Sequence, residues 1–403
     1  MAESQSSKLM VRVRFPSPAP TVFDAGKMRG VNPSRHSYPP KPLRLGGWPL
    51  PMIGQVRMYV CGITPYDVTH LGHAATYIWA DAADRALRWH GYGVMLARNV
   101  TDVDEVLFAE AQRRGESYAM LATLQRANFE ATMATLRVRN PDQSPTAAQA
   151  VGQVLQLAAA LLAREAAYVR DGTVYARTAN VADAAGIDHD TALKLSAEYH
   201  DHPDDPAKEN PLDVIVWKAT DEGEVCWPSP WGDGRPGWHA ECAAMVLSLF
   251  GPCVDLHGGG ADLAFPHHAC EAALAQAATG VTPFARAWLR AGTVSIDGVK
   301  MAKSTGNLVL VDDLLRDHTP AAIRLLCLNR PWAQGWSFAT DELHAAADTL
   351  EALYSAAGKP GQAGAGLVPA ALLDDLDVPT ALSIALDEGG QAARTLIELL
   401  ALT

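Results

Sequence analysis

Two cysteines and one histidine, in separate stretches of the chain, have the residue types of a metal site. Cys61 lies in "YVCG", Cys242 in "GRPGWHAECAAM" and His267 in "AFPHHACEAAL". Two thiolates and one imidazole suit zinc, and three protein ligands leave one position of a tetrahedral ion open, as in catalytic sites. Each of these residues alone is also typical of a small buried side chain. The prediction of a metal site therefore requires that all three meet.

A second group of residues has the chemistry to hold phosphate. His70 and His73 stand in "HLGH", at a predicted junction between a strand and a helix. Gly72 between them allows a bound group to approach closely, and the first turn of a helix attracts anions. Lys300 and Lys303, in "VKMAKSTGN", can hold phosphates as point charges. Taken alone, either motif is also typical of an ordinary polar loop.

The elements around these residues predict an α/β fold. "RMYVCGI" has the apolar run of a buried strand, "ATYIWADAADRALRWHG" has helical spacing, and "GVMLARNV" predicts the next strand. This order is a βαβ unit, which implies a parallel sheet with ligands at the carboxyl ends of its strands. Residues 150–169, "AVGQVLQLAAALLAREAAYV", predict an amphipathic helix, and residues 200–237 predict loops because they are rich in Pro, Asp and Gly.

Composition excludes several function classes. The chain has 403 residues, six cysteines without a CxxC pair, and a net charge of −12. The cysteines are too few for a disulfide scaffold, which favours a reducing compartment, and the acidic balance disfavours a general nucleic-acid-binding surface. The longest apolar stretch is interrupted by Arg164 and Glu165, and the first residues lack the apolar segment of a signal peptide. We therefore expect a cytoplasmic protein without a membrane segment.

Several motifs, in this order along the chain, resemble class I aminoacyl-tRNA synthetases and, within them, the cysteine-activating branch. "HLGH" is similar to the first signature of the class and "KMAKS" to the second, while "NVTDVD", "GRPGWHAEC" and "GGGADLAFPHH" are similar to motifs of the cysteine branch. Two families share them: the cysteinyl-tRNA synthetases and the cysteine:glucosaminyl-inositol ligases of mycothiol biosynthesis. "CGITPYDVTHLGHAATY" and "KSTGNLVLV" resemble the ligases more closely.

The resemblance implies an ATP-dependent, AMP-forming ligase of L-cysteine. One zinc ion on Cys61, Cys242 and His267 would select the substrate thiol. ATP, with Mg²⁺, would lie beside the four catalytic residues, which are His70, His73, Lys300 and Lys303. The residues expected around cysteinyl adenylate are Cys61, Gly62, Ile63, Thr64, Thr76, Asn99, Val100, Thr101, Trp238, Gly260, Ala261, Asp262 and Val294. Within this set, Trp238 is expected to wall the amino-acid pocket, and the last four residues to approach the adenosine.

The resemblance also implies a class I synthetase-type Rossmann fold with four parts. Residues 1–50 are expected to be a poorly ordered extension, because they are rich in Pro, Ser and Gly. Residues 51–130 and 235–310 would form the catalytic domain. Residues 131–234 would form a mainly helical connective insertion, and residues 311–403 a helical C-terminal region.

Some residues depart from the ligase pattern. Ala302 stands where the second signature usually has serine, and "HDHPDDP", residues 200–206, stands where the ligases have a glycine-containing substrate loop. His257 and Glu271 are more similar to the synthetases. Glu271 follows His267 by four residues, one helical turn, and is therefore a candidate for a fourth zinc ligand.

The C-terminal part of the chain indicates which acceptor is used. From Gly335 onward it has ten acidic and two basic residues, whereas tRNA binding requires Lys and Arg against phosphates. We therefore expect a small aminosugar acceptor and no tRNA, and we expect the protein to be a monomer. The alternatives are a truncated cysteinyl-tRNA synthetase, the same activation chemistry with another amine acceptor, and a catalytically silent paralogue.

Overall fold

The structure is a computed structural model that describes residues 41–66, 68–301 and 306–403. Most of the expected N-terminal extension, residues 1–40, lies outside these ranges, as do Ala302 and the predicted catalytic Lys303.

Thirteen strands in the described ranges form four sheets. The strands are β1 (Leu43–Leu45), β2 (Trp48–Leu50), β3 (Gln55–Ile63), β4 (Gly93–Val100), β5 (Ala167–Arg170), β6 (Thr173–Ala176), β7 (Val214–Ala219), β8 (Gly234–Pro236), β9 (Leu256–Gly260), β10 (Trp288–Ala291), β11 (Val294–Ile296), β12 (Val299–Lys300) and β13 (Trp336–Ser337). Their orders in the sheets are β1–β2, β10–β9–β3–β4, β12–β11–β13 and β5–β6–β7–β8.

Fourteen α-helices occur in the same ranges. They are α1 (Leu71–Trp89), α2 (Glu105–Arg114), α3 (Tyr118–Thr135), α4 (Val151–Ala163), α5 (Val181–Ala185), α6 (His189–Glu198), α7 (Trp238–Phe250), α8 (His267–Thr279), α9 (Val311–Asp317), α10 (Pro320–Leu328), α11 (Thr340–Ala357), α12 (Leu367–Leu373), α13 (Val378–Glu388) and α14 (Gly390–Leu400). Short 3₁₀ helices cover Ala148–Ala150 and Ala261–Ala264.

The parallel sheet β10–β9–β3–β4 positions the candidate site. Four consecutive residues of β3, from Met58 to Cys61, are buried, as expected for a strand with both faces covered. β3 pairs in parallel with β4 and with β9, and α1 forms the crossover from β3 to β4. The predicted βαβ unit and parallel sheet are confirmed, and the strands of this sheet end at a shared edge.

The insertion, which was expected to be mainly helical, contains the antiparallel sheet β5–β6–β7–β8. The helix predicted as far as residue 169 is wrong in its last part, because α4 ends at Ala163 and β5 begins at Ala167. Asp171 and Gly172, with φ of 48° and 80°, form the turn between β5 and β6. Asp-Gly is a strong hairpin signal because both central residues of the favoured turn need positive φ.

The loop predicted over residues 200–237 is also interrupted by strands. β7 has the sequence "VIVWKA" and pairs antiparallel with β6 and β8. The apolar run of β7 is short and lies between polar segments. The strand was therefore missed when residues 200–237 were judged by their overall composition.

The helices after residue 310 pack on α1, which begins at the "HLGH" motif. Arg324 of α10 is fully buried and donates to Asp81 of α1 at 2.6 Å. It also donates to the backbone oxygens of Leu136 and Leu400. These contacts fix the direction of α1 against the C-terminal helices. None of the helices in the described ranges combines the length and apolar composition that a membrane span requires.

Candidate active site

Four buried side chains converge at the edge of the parallel sheet. Cys61 lies near the carboxyl end of β3, Cys242 is in the first half of α7, and His267 and Glu271 are one turn apart at the start of α8. Their ligand atoms all lie within 4.8 Å of one another. The three predicted zinc positions are thus brought together, and the candidate fourth ligand, Glu271, joins them.

The distances within this four-donor cluster are short. Glu271 Oε1 lies 2.9 Å from His267 Nε2 and 3.3 Å from Cys61 Sγ. Around a zinc ion, ligand atoms at bonding distance are about 3.5 Å apart, because Zn–S and Zn–N bonds measure roughly 2.0–2.3 Å. Two sulfurs, one nitrogen and one oxygen at this spacing fit a zinc ion.

The four donors also neutralise one another. Burial opposes ionisation of Cys242, but a hydrogen bond from Cys61 and the positive charge of His267 lower the pKa of this thiol to about 6. Burial likewise disfavours charged His267, yet the charges of Glu271 and Cys242 raise its pKa to about 10. The cluster therefore pairs a thiolate and a carboxylate with an imidazolium whose proton a metal ion would displace.

A second, overlapping group has histidines in place of the second thiol. It consists of Cys61, His257 and His268, all buried. His257 Nε2 lies 2.9 Å from Glu271 Oε2, so the glutamate connects the two groups. The first group offers two sulfurs and a carboxylate besides its histidine, and we regard it as the better zinc site.

His267 is oriented by two residues that were not predicted to belong to the site. His267 Nδ1 lies 2.9 Å from His239 Nδ1, and His239 Nε2 lies 3.0 Å from both carboxylate oxygens of Asp201. Such outer partners usually fix the tautomer of a metal-ligating histidine. Asp201 belongs to the "HDHPDDP" segment, so this segment supports the four-donor cluster through His239.

Aromatic and charged side chains line the approach to the cluster. The ring of Trp238, the first residue of α7, stacks on the ring of His267 with their centroids 4.1 Å apart. The ring of Tyr199 stacks on the other ring of this group, that of Trp238, with their centroids 6.1 Å apart. Lys300 Nζ lies 2.9 Å from Asp262 Oδ2 and 3.3 Å from the Tyr199 hydroxyl. A lysine predicted to hold phosphate is therefore paired with an aspartate predicted to approach adenosine.

The "HLGH" motif forms the N-terminus of α1. His70 is the N-cap, and its Nδ1 accepts from the backbone N–H of Gly72 at 3.1 Å. The rings of His70 and His73 stack 3.8 Å apart. Burial and the neighbouring His70 lower the pKa of His73 to about 3, so its imidazole is neutral at physiological pH. Thr76 donates to the carbonyl of Gly72, one turn earlier.

The ends of β3 and β4 bring most of the remaining adenylate positions together. Gly62 N–H donates to the Asn99 side chain at 2.7 Å, and a Cβ at residue 62 would lie 1.6 Å from the Asn99 carbonyl oxygen. Only glycine fits there. The Thr64 and Thr101 hydroxyls are 2.8 Å apart, and Ile63 accepts from Thr101 N–H.

Other predicted positions lie on neighbouring strands. Val100 closes β4, and Gly260 closes β9 and is followed directly by Ala261. Val294 is buried at the start of β11, where its carbonyl accepts from Met301 N–H. Val294 therefore lies beside the second signature.

Residues 51–348 match the family described as the tRNA synthetase class I (C) catalytic domain. The chain belongs to this family. Within it, the chain is 46% identical over 338 residues to the L-cysteine:1D-myo-inositol 2-amino-2-deoxy-alpha-D-glucopyranoside ligase of Mycolicibacterium vanbaalenii, covering 81% of this chain and 79% of the relative. The ligase of the same name from Rhodococcus jostii is 44% identical over 359 residues, with 83% and 85% covered.

A class I synthetase also has the same fold. The methionyl-tRNA synthetase of Mycobacterium tuberculosis, solved with methionyl-adenylate, superposes with a TM-score of 0.59 at 19% identity, covering 87% of this chain and 82% of the other. The predicted class I synthetase-type fold and the resemblance to the cysteine:glucosaminyl-inositol ligases are confirmed. So is the prediction that the chain is an ATP-dependent ligase.

Proposed function

We propose that this protein joins L-cysteine to the amine of glucosaminyl-inositol through a cysteinyl-adenylate intermediate, as a step of mycothiol biosynthesis. The observation that supports it most is the buried cluster of Cys61, Cys242, His267 and Glu271, with ligand atoms within 4.8 Å of one another. The names of the relatives support the same acceptor.

We assign one zinc ion to the four-donor cluster. When bound, zinc supplies a Lewis acid that prefers the substrate thiolate to a serine hydroxyl, a distinction that an apolar pocket makes only weakly. Trp238, stacked on His267, closes one side of the amino-acid pocket and excludes water. Asp201 and His239 hold His267 in the orientation that presents Nε2 to the cluster.

In the first step the carboxylate of cysteine attacks the α-phosphorus of ATP. The bond to the bridging oxygen breaks, and pyrophosphate leaves, with Mg²⁺ accompanying the phosphates. His70 and His73 donate hydrogen bonds at the N-terminus of α1, and Lys300 and Lys303 supply positive charge to the leaving group. To reach the phosphates, the Lys300 side chain gives up its ion pair with Asp262.

The mixed anhydride is held at the ends of β3, β4 and β9. We assign its binding to the residues predicted for it, among which Gly62 and Asn99 join the ends of β3 and β4 through the hydrogen bond from Gly62 N–H to the Asn99 side chain. In the second step the amine attacks the carbonyl carbon, loses a proton, and expels AMP. The product is an amide.

We also propose that the protein acts as a monomer in the cytoplasm and does not use tRNA. One chain supplies every residue of the proposed site, and all six cysteines are free thiols, which suits a reducing compartment. The acidic C-terminal region lacks the basic surface that tRNA would need.

An acceptor assay tests this function. The zinc-loaded protein is incubated with labelled cysteine, ATP and either glucosaminyl-inositol or cysteine-accepting tRNA, and products are identified by mass spectrometry. We expect the cysteinyl amide of the aminosugar together with AMP, and no cysteinyl-tRNA. Charging of the tRNA, or the absence of any aminosugar amide, contradicts the proposal.

A further inference from the structure

Two threonine hydroxyls and one carboxylate form a chain of contacts at the ends of β3 and β4. Thr64 Oγ1 lies 2.8 Å from Thr101 Oγ1 and 3.5 Å from Asp104 Oδ2. Both threonines are among the residues predicted to surround the adenylate, and Asp104 is not. Thr101 is buried, whereas Thr64 and Asp104 are half-buried. A ligand at the adenylate positions therefore meets this chain at Thr64, and the chain ends at a carboxylate.

The number of hydrogens available sets the direction of these hydrogen bonds. A threonine hydroxyl has one hydrogen and two acceptor lone pairs, and an ionised carboxylate only accepts. The Thr64 hydrogen therefore points to Asp104, and the hydrogen between the threonines belongs to Thr101. One lone pair of Thr64 Oγ1 is thus occupied. The other has no donor among the described residues, so it can accept an N–H of a ligand.

The two carboxylate oxygens of Asp104 have different partners. Oδ1 accepts from the backbone N–H of Val106 at 2.7 Å and caps the N-terminus of α2. Oδ2 faces Thr64 at 3.5 Å, a long contact of the kind that commonly tightens when substrate binds. The cap fixes the orientation of the carboxylate, and it leaves the second oxygen able to take up a proton.

Asp104 also differs in charge pairing from its neighbour Glu105 and from Asp262 of the adenylate positions. Glu105 pairs with Arg235 at 3.0 Å, and Asp262 pairs with Lys300 at 2.9 Å. Asp104 has no ion pair with any described residue. Burial raises its pKa above the usual range, although hydrogen bonds from backbone N–H groups oppose this shift. A raised pKa makes a carboxylate a stronger base near neutral pH.

The second step of the proposed reaction needs a proton acceptor. When the amine nitrogen bonds to the carbonyl carbon, the nitrogen becomes positively charged unless it gives up a proton. A base removes this proton when it lies within hydrogen-bond reach of the nitrogen, either directly or through one bridging molecule. A threonine hydroxyl can bridge in the same way, because it donates and accepts at one atom.

We propose that Asp104 accepts, through the hydroxyl of Thr64, the proton that the acceptor amine releases in the second step. As the C–N bond forms, the N–H proton passes to Thr64 Oγ1 and the Thr64 hydroxyl proton passes to Asp104 Oδ2. The bond between the carbonyl carbon and the phosphate oxygen then breaks, and AMP leaves with the bonding electron pair. The assignment rests on the proposed ligase function and adds to it the proton acceptor of amide formation.

Asp104→Asn separates proton transfer from helix capping. Asparagine caps a helix about as well as aspartate, but its amide oxygen is too weakly basic to take the proton. In single turnovers that start from preformed cysteinyl-adenylate, we expect transfer of cysteine to glucosaminyl-inositol to slow by at least ~10²-fold. The acceptor concentration that gives half the maximal rate, and cysteine-dependent exchange of pyrophosphate into ATP, should both stay within about twofold of wild type.

Asp102→Asn is the matched control. It removes a carboxylate two residues away, whose Oδ1 accepts from the backbone N–H of Ala148 at 2.8 Å, and it should leave the transfer rate near wild type. Equal slowing of transfer in both variants overturns the proposal, because negative charge and not proton acceptance would then be responsible. Wild-type transfer in Asp104→Asn, or a loss of exchange as large as the loss of transfer, also overturns it. A wild-type protein that fails in exchange, or forms no aminosugar amide, refutes the ligase function instead.

The bridging hydroxyl gives a second test. Thr64→Val removes it and should slow transfer more than exchange, whereas Thr64→Ser keeps a hydroxyl and should recover most of the transfer rate. Adding Thr64→Val to Asp104→Asn should cause no further loss of transfer, because both changes break the same path. Additive losses in the double variant, or a Thr64→Ser protein as slow as Thr64→Val, contradict the relay.

Discussion

His267, in the four-donor cluster, and His73, in "HLGH", both lie in the first turn of a helix, yet their protonation differs. Burial disfavours the charged form of each. At His267 the charges of Glu271 and Cys242 outweigh burial and raise the pKa to about 10. At His73 no opposite charge among the described residues compensates, and burial together with His70 lowers the pKa to about 3.

This difference indicates how each side of the site obtains positive charge. On the metal side, which is the four-donor cluster, the side chains are buried and their ligand atoms lie within 4.8 Å of one another. On the phosphate side His73 is neutral, so it can donate a hydrogen bond but adds no charge. A described side chain that carries positive charge there is Lys300, which is 48% exposed and paired with Asp262. We expect substitutions on the metal side to remove zinc and substitutions on the phosphate side to slow activation while zinc stays bound.

The largest effect is expected for Cys242→Ala. Loss of one thiolate removes a ligand and leaves Glu271 and His267 without their metal, so zinc content should fall close to zero and pyrophosphate exchange by at least ~10³-fold. Atomic absorption and the exchange assay measure the two quantities. Cys226→Ala, at an exposed cysteine outside the site, is the control and should match wild type. A Cys242→Ala protein that keeps both zinc and exchange would refute the metal assignment.

Lys300→Ala should have the next largest effect. Removing one charge that stabilises the leaving pyrophosphate lowers kcat for exchange by about 10²–10³-fold, but the four-donor cluster is untouched and zinc content should stay at the wild-type value. Lys300→Arg keeps the charge and should recover part of the rate. Loss of zinc in Lys300→Ala would break the comparison, because it would show that the two sides are not independent.

The convergence of the four donors was largely predictable because their residue types are chemically specific. Cys61, Cys242 and His267 lie in three motifs of the sequence, and Glu271 follows His267 at helical spacing. The contact from Asp201 to His239 was not predictable, since it joins two segments 38 residues apart through a tertiary arrangement that periodicity does not encode.

The fold, like the site, was predictable in one part and not in another. The parallel core followed from apolar strands separated by a helical pattern. The register of β3 on β4 shifts between Val60 and Ile63, where Gly62 contacts Asn99. The antiparallel sheet of the insertion was missed because Ala-rich α4 runs into β5 without a proline or glycine between them. The Asp171-Gly172 turn was the local signal that could have corrected it.

The smallest effect is expected for Asp201→Asn, and it tests how finely the metal side is organised. The Asp201 carboxylate holds a proton on His239 Nε2, which leaves His239 Nδ1 to accept from His267 and His267 Nε2 to face the cluster. The neutral amide fixes this tautomer less strongly, so zinc affinity should fall about 10–100-fold.

Competition with a chromophoric zinc chelator measures the affinity of this variant. Asp204→Asn, at an exposed aspartate of the same segment, provides a matched control and should leave the zinc Kd unchanged. If Asp201→Asn binds zinc as tightly as wild type, Asp201 and His239 do not position His267. The short contacts among the four donors are then sufficient to hold them in place for zinc. If the variant loses zinc affinity while its rate of pyrophosphate exchange at saturating zinc equals that of wild type, Asp201 and His239 act on metal binding and not on the phosphate side.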